Sequence, residues 1–453
     1  MKKRLAEESV IFISIIKWLF LATLIGIIAG SATAGFLKIL SYGTEQMGRF
    51  PYYFLFLPGA LFVSGFLIKY LAPDAEGQGT DKVIEAVHKY SGKIKVMVVP
   101  VKLMATVVTI AAGGSAGKIG PCAQIGGGLA SLFADLLHFT ANDRKKIVIC
   151  GISAGFAAVF GTPIAGAIFG VEVLFVGSIL YEVLLPSFVA GLVSYQVALQ
   201  MGVTYFHTPL IFTPSFSESF FLEVIIAGIY FGICSFIFIE IYRYFMNLSN
   251  NLSLDLPSKG LIGGLVLIIL SLIFSTKYLG LGFETIQSVL EGSFPGWSAF
   301  LLKMIFTSIT LNFGGSGGVV VPILFVGATS GALLGQILGA SISTFAAIGF
   351  VSLLAGATNT PIAASILALE LFGPKVAAYA ALSCVLSFLM TGHRSIHFTQ
   401  VLAVKKSASL QVEIGQELIQ VEPRIQPREK TILSMILKIA HWWKNKYLKN
   451  KSS

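Results

Sequence analysis

The sequence predicts an all-α polytopic membrane protein built from two homologous repeats of broken and tilted helices. Three observations carry this prediction. Of 453 residues, 55% are hydrophobic and only 12% are charged, against about 25% charged in a soluble domain. Apolar runs long enough to cross a bilayer alternate with runs that are too short. Two glycine- and proline-containing motifs each occur twice, in the same order, at offsets of 201 and 198 residues.

A chain with so few charges cannot cover a water-facing surface. A soluble enzyme, a disordered chain and a fibrous protein are therefore excluded. The mean hydropathy of +0.82 agrees, and 47 glycines suit closely packed membrane helices.

Residues 1–9 carry Lys2, Lys3 and Arg4 against Glu7 and Glu8 and are expected to be a cytoplasmic N-terminus. The apolar run from Val10 to about Leu40 is too long for a cleavable signal and reads as a span. Further segments of spanning length lie near 52–72, 180–201, 219–248, 260–282 and 376–392. Between them are shorter runs at 97–112, 121–138, 147–160, 163–178, 299–311, 344–357 and 361–372, with a longer, glycine-interrupted one at 319–340. Runs this short must be tilted or end at membrane depth against protein or water. Broken helices of that kind surround ion or solute sites.

The repeat is explicit in the residues. Gly113-Gly114-Ser115-Ala116-Gly117-Lys118-Ile119-Gly120-Pro121 and Gly314-Gly315-Ser316-Gly317-Gly318-Val319-Val320-Val321-Pro322 share the pattern GGSxGxxxP. Thr162-Pro163-Ile164-Ala165, then Ile168 and Glu172, match Thr360-Pro361-Ile362-Ala363, Ile366 and Glu370. We therefore expect a first membrane repeat at 10–205 and a second at 215–403. An odd number of spans per repeat would invert one against the other.

Residues 404–453 are expected to be a basic cytoplasmic tail. The last 53 residues hold ten Lys/Arg against four Glu, so much of the net charge of +10 reflects topology and anionic lipid. Nucleic acid is not an expected partner. Residues 431–448 fit an amphipathic helix, lying on the inner leaflet or packed on the protein's own inner face. Cys122, Cys150, Cys234 and Cys384 lie in apolar stretches without a CxxC and read as reduced, buried hydrophobes. No nucleophile–base set, metal-ligand cluster or GxxxxGK[ST] loop is present, so neither enzyme activity, metal nor cofactor is expected.

Each glycine-rich motif precedes an apolar helical run. A helix start offers unpaired N–H groups and about half a positive charge, and its natural partner is an anion. Gly77-Gln78-Gly79-Thr80-Asp81 precedes another helical stretch, and Ser395-Ile396-His397-Phe398 follows the last apolar run. Taken alone, His397 reads as an interfacial or hydrogen-bonded histidine.

With these pieces in order, the sequence resembles the CLC family of chloride channels and chloride/proton antiporters over nearly all of residues 10–400. Gly77–Asp81 is similar to the family's GSGIP motif, Pro100-Val101-Lys102 to PVK, Gly117–Pro121 to GREGP and Gly318–Pro322 to GxFxP. The resemblance implies a homodimer, one anion pathway per subunit, and inverted halves whose helix N-termini face a central halide.

The departures matter most. The gating glutamate of GREGP is replaced by Ile119, and the inner proton-acceptor glutamate by Val173. Gln78 stands for the central Ser of GSGIP, and His397 for the central Tyr. Neither Ile nor Val binds a proton, so coupled exchange by the usual route has no carriers. The leading expectation is passive, uncoupled anion conduction. Chloride or a similar small anion would bind at Gln78, Gly79, Thr80, Ile119, Gly120, Val319, Val320, Val321 and His397. Lys102 and Lys118 would supply pore electrostatics. Glu172 and Glu370 read as structural hydrogen-bonding helix ends. Two alternatives remain: a selective carrier of fluoride or nitrate, and a transport-inactive membrane sensor or scaffold.

Overall fold

The structure is a computed structural model that describes residues 2–205 and 218–426; the stretch at 431–448 lies outside the described residues. The chain opens with the long helix α1 (Lys2–Gly48), followed by α2 (Leu57–Leu71), α3 (Gly79–Lys89), α4 (Val98–Ala111), α5 (Ile119–Leu136), α6 (Ala141–Phe160), α7 (Pro163–Glu172) and α8 (Tyr181–Gln200). The second half continues with α9 (Glu218–Asn251), α10 (Leu256–Ile273), α11 (Phe283–Leu290), α12 (Ala299–Asn312), α13 (Val320–Leu338), α14 (Ile342–Thr358), α15 (Pro361–Phe372) and α16 (Pro374–Met390).

Six of these helices are long and apolar enough to span a bilayer: the α1, α8, α9, α10 and α13 segments, and residues Tyr53–Leu71 around α2. The rest are short because the sequence punctuates them. Proline occupies the first turn of α2, α7, α10, α15 and α16, where its missing N–H costs nothing. Gly161, Gly339 and Asn359 end α6, α13 and α14 in the left-handed conformation. Thr140, Asp255 and Ser341 cap the starts of α6, α10 and α14.

Two expectations shift. The apolar run at 260–282 is helical only to Ile273, because charged Lys277 and the positive-φ pair Gly280 and Gly282 follow it. The glycines of 319–340 do not interrupt α13; they let its backbone approach α14. A Cβ on Gly327 would fall 2.3 Å from the Gly349 carbonyl oxygen, and in the first half a Cβ on Gly126 would fall 2.3 Å from Gly151 O. This backbone-to-backbone seam between α5 and α6 is thus repeated between α13 and α14.

The second half is an inverted copy of the first, and reciprocal bonds join them. Gly117 N–H donates to Gly318 O at 2.6 Å, and Gly318 N–H to Gly117 O at 2.7 Å. Ser115 N–H donates to Thr310 Oγ1 at 3.1 Å, while Ser316 N–H donates to Thr109 Oγ1 at 3.0 Å. Each bond has its mirror at an offset of 201 residues, as a twofold axis between the repeats requires.

Among the described residues very little strand is present. β1 (Phe175–Val176) pairs in parallel with β2 (Val401–Leu402), and β3 (Leu410–Gln411) pairs antiparallel with β4 (Arg424–Ile425). These pairs hold residues 401–426 against the helical body, around a small core of Val176, Leu402, Val412 and Leu418. All four cysteines are buried and free.

Candidate anion site

Three helix starts converge. Gln78, Lys118 and Val319 stand at the N-caps of α3, α5 and α13, and none of the three starts receives a side-chain cap. Bridges between Gln78 and Gly317 and between Gly117 and Gly318 tie the leading segments together. Glycine makes this approach possible. A Cβ on Gly79 would fall 2.4 Å from Gly120 O, and one on Gly318 would fall 2.6 Å from Gly120 N. The first turns therefore bring their positive ends into one buried region.

Gln78, Gly79, Thr80, Ile119, Gly120, Val319 and Val320 are all buried there. His397 joins them through its neighbour, because Gln78 Nε2 donates to the Ile396 carbonyl. That bond engages the amide nitrogen expected to serve an anion, leaving it a single further N–H. The His397 side chain is fully buried, and neither ring nitrogen has a partner among the described residues. It is thus neither interfacial nor hydrogen-bonded. Gln78 Oε1 and Thr80 Oγ1 are also buried without partners. A buried polar atom left unpaired costs about 1–3 kcal/mol, so the two at the start of α3, with the unpartnered ring of His397, favour a polar ligand.

Lys102 is fully buried beneath this region. Its ammonium donates to Ala75 O at 3.1 Å and to Gly77 O, pinning the turn that delivers Gln78. Lys118 lies beside Ile119, with its ammonium 5.1 Å from the Phe283 ring centre. It lines a cavity of about 250 Å³ together with Lys38, Ser41 and Thr44. Val173 is fully buried. Its carbonyl accepts from Gln400 Nε2 at 2.7 Å, and that same group also donates to Thr358 O.

Glu172 and Glu370 cap helices of the opposite repeat. The Glu172 carboxylate accepts from Ile362 N–H at 3.0 Å and Ala363 N–H at 2.8 Å. Glu370 accepts from Ile164 N–H at 3.0 Å and Ala165 N–H at 2.8 Å. Sequence reasoning missed one member of the set. Lys303 is buried like Lys102 and donates to Tyr278 O at 3.0 Å and Gly280 O at 2.9 Å. Its offset of 201 from Lys102 was the available signal.

Known proteins resemble this chain in sequence and fold. Residues 59–392 match the voltage gated chloride channel family. The chain is similar to a chloride/fluoride channel protein of Pseudomonas syringae pv. tomato, 36% identical over 88% of this chain and 89% of that one. It is 26% identical to an H(+)/Cl(-) exchange transporter of Cronobacter sakazakii, over 78% and 81% of the two chains. The crystal structure of a CLC-type fluoride/proton antiporter superimposes with a TM-score of 0.81 at 26% identity, covering 85% of this chain and 98% of that one.

Proposed function

This chain belongs to the voltage gated chloride channel family of integral membrane anion transport proteins, and on that premise we propose that it conducts chloride passively, without proton exchange. The observation that carries the reading is Ile119 at the start of α5. An aliphatic side chain there can neither accept from the first-turn amides in the anion's stead nor carry a proton. Val173 leaves the second proton position equally inert. Chloride would rest on the first-turn amides of α3, α5 and α13, with Thr80 and His397 as side-chain donors. The functional unit is proposed to be a homodimer in a bacterial plasma membrane, with its C-terminal tail cytoplasmic.

Proteoliposome flux with simultaneous pH recording tests this. Chloride should move down its gradient with no stoichiometric proton movement. A pH gradient that drives chloride uphill would overturn the reading.

Fluoride transport is the second reading. It is favoured by the Pseudomonas relative, whose name includes fluoride. Fluoride flux exceeding chloride flux at equal concentrations would select it.

Lys102 has an electrostatic part in this pathway beside its anchoring bonds. A cation in a low-dielectric path is weakly screened. Lys102→Met is expected to lower chloride conductance more at low salt than at high salt, measured as a salt series in planar bilayers. A proportionate loss at every salt concentration would confine Lys102 to anchoring.

A further inference from the structure

We propose that a cavity beside α3 is a lipid site. It takes the headgroup of an anionic phospholipid whose phosphodiester carries a glycerol, with the phosphate on Lys93 and a glycerol hydroxyl on Gln124. The proposal does not depend on which ion the chain conducts, and none of the cavity's residues belongs to the anion site described above.

The cavity has a volume of about 390 Å³ and is bounded by α3, the loop before it, the α3–α4 loop and α5. α3 lends it one stripe, Lys82, Glu85 and Ala86, at helical spacings of three and four residues. The α3–α4 loop is tied down. Gly92 N–H donates to Ala86 O at 2.8 Å and Lys93 N–H to Tyr90 O at 2.9 Å. Ile94 N–H donates to Ser131 Oγ on α5 at 3.0 Å. Lys93 and Lys95 are therefore delivered by a fixed turn.

The charges leave one cation over. Lys95 pairs with Asp74 at 2.9 Å and Lys82 with Glu85 at 3.1 Å. Lys89, a second partner of Glu85, is matched by Glu417 at 2.9 Å. Lys93 has no carboxylate partner among the described residues. Three lysines against two carboxylates around the cavity leave one positive charge. A phosphodiester carries one negative charge and balances it, whereas a phosphomonoester carries close to two near neutral pH.

Gln124 sets a second requirement. It is 2% exposed, and its Nε2 donates to the Asp74 carbonyl at 3.0 Å, which holds the amide at the cavity wall. Its Oε1 is buried without a partner among the described residues. An amide oxygen only accepts, so the ligand must bring a donor. An ionised phosphate has none, and a headgroup hydroxyl does. An ammonium headgroup also donates, but it makes the lipid neutral and leaves the positive charge of the cavity uncompensated.

The surroundings favour a lipid over a soluble phosphodiester. Tyr90, Val96 and Met97 beside the lysines are exposed, and so is Met104, two turns along α4 from Met97. Lysines followed directly by an exposed apolar stripe place a phosphate and its acyl chains at adjacent depths of one leaflet. The Lys89–Glu417 pair puts the cavity on the same side of the molecule as residues 401–426.

Native mass spectrometry of the full-length detergent-solubilised protein, titrated with short-chain lipids, provides the test. Phosphatidylglycerol should bind at least about tenfold more tightly than phosphatidylcholine. It should also bind more tightly than phosphatidylethanol, a phosphodiester of equal charge without the hydroxyl. Lys93→Gln, at an exposed position, should bring phosphatidylglycerol down to the phosphatidylcholine level. Gln124→Met should erase only the preference over phosphatidylethanol. Equal wild-type binding of phosphatidylglycerol and phosphatidylcholine overturns the site, and so does phosphatidylglycerol binding unchanged by Lys93→Gln. Phosphatidylethanol or phosphatidylethanolamine binding as tightly as phosphatidylglycerol overturns the headgroup assignment. Glycerophosphoglycerol, the same headgroup without acyl chains, separates the two sources: binding as tight as that of the lipid would overturn the lipid assignment. The wild-type series and Lys93→Gln decide even if the buried Gln124→Met variant does not fold.

Discussion

Replacing Ile119 with glutamate is expected to close the anion pathway near neutral pH and to let acid reopen it. Ile119 is buried at the first turn of α5, in the region where α3 and α13 also begin. A carboxylate at that position is anionic, close in size to isoleucine, and can accept from the same first-turn amides that would hold chloride. It competes for the anion's place and repels a second charge. Flux in Ile119→Glu proteoliposomes should fall at least about tenfold near neutral pH, which corresponds to about 1.4 kcal/mol of competition. Protonation removes the charge and the competition, so flux should recover as pH falls. The free side chain titrates at about 4.3; helix amides and desolvation pull its value in opposite directions, so the sign of the pH effect is the prediction. Equal flux in this variant from about pH 4 to pH 8, on either side of the free carboxyl value, would remove Ile119 from the pathway.

The second large effect is expected at Gly318. An added methyl group there meets the first turn of α5: the backbone of Gly120, with N at 2.6 Å and Cα at 3.0 Å, and the rigid ring of Pro121, with Cδ at 3.1 Å. None of these atoms belongs to a flexible side chain that could swing away. Overpacking of this kind costs about 1–3 kcal/mol or more, and relief requires α5 and α13 to move apart. Gly318→Ala should therefore lose anion flux and lower the thermal unfolding midpoint in detergent. Gly280, where an added Cβ meets no neighbouring atom but φ is +55°, is the control for backbone strain alone: Gly280→Ala should perturb stability and leave flux measurable. A Gly318→Ala protein with normal flux and normal melting would show that the helix starts are not in contact.

Much of this architecture was legible in the sequence, for definite reasons. Charge depletion and apolar run lengths identify a membrane fold because lipid allows few alternatives. The twofold relation was readable because both repeats retain GGSxGxxxP and a Thr-Pro start with a glutamate nine residues after the proline. The partners of those glutamates were not legible. A helix end can be capped by any nearby donor or acceptor, and only the packed structure shows Glu172 reaching α15 and Glu370 reaching α7. Gln78 shows the same limit from the other side. Its type suggested a donor to the anion, but spacing alone could not reveal that Nε2 is engaged by Ile396, 318 positions away. Lys303 was overlooked because no motif surrounds it, although the repeat offset pointed to it.

The exchanged glutamates also bear on how such a chain is made. During synthesis α7 enters the membrane long before residue 370 leaves the ribosome, so its first-turn amides stay open until the second half arrives. Likewise the Glu172 carboxylate has no helix to cap until α15 is inserted. The Ser115 and Thr109 pairings wait on Thr310 and Ser316 in the same way. Neither half closes its own helix ends: a chain truncated between them would leave the first turn of α7 without the Glu370 carboxylate and Glu172 without the α15 amides.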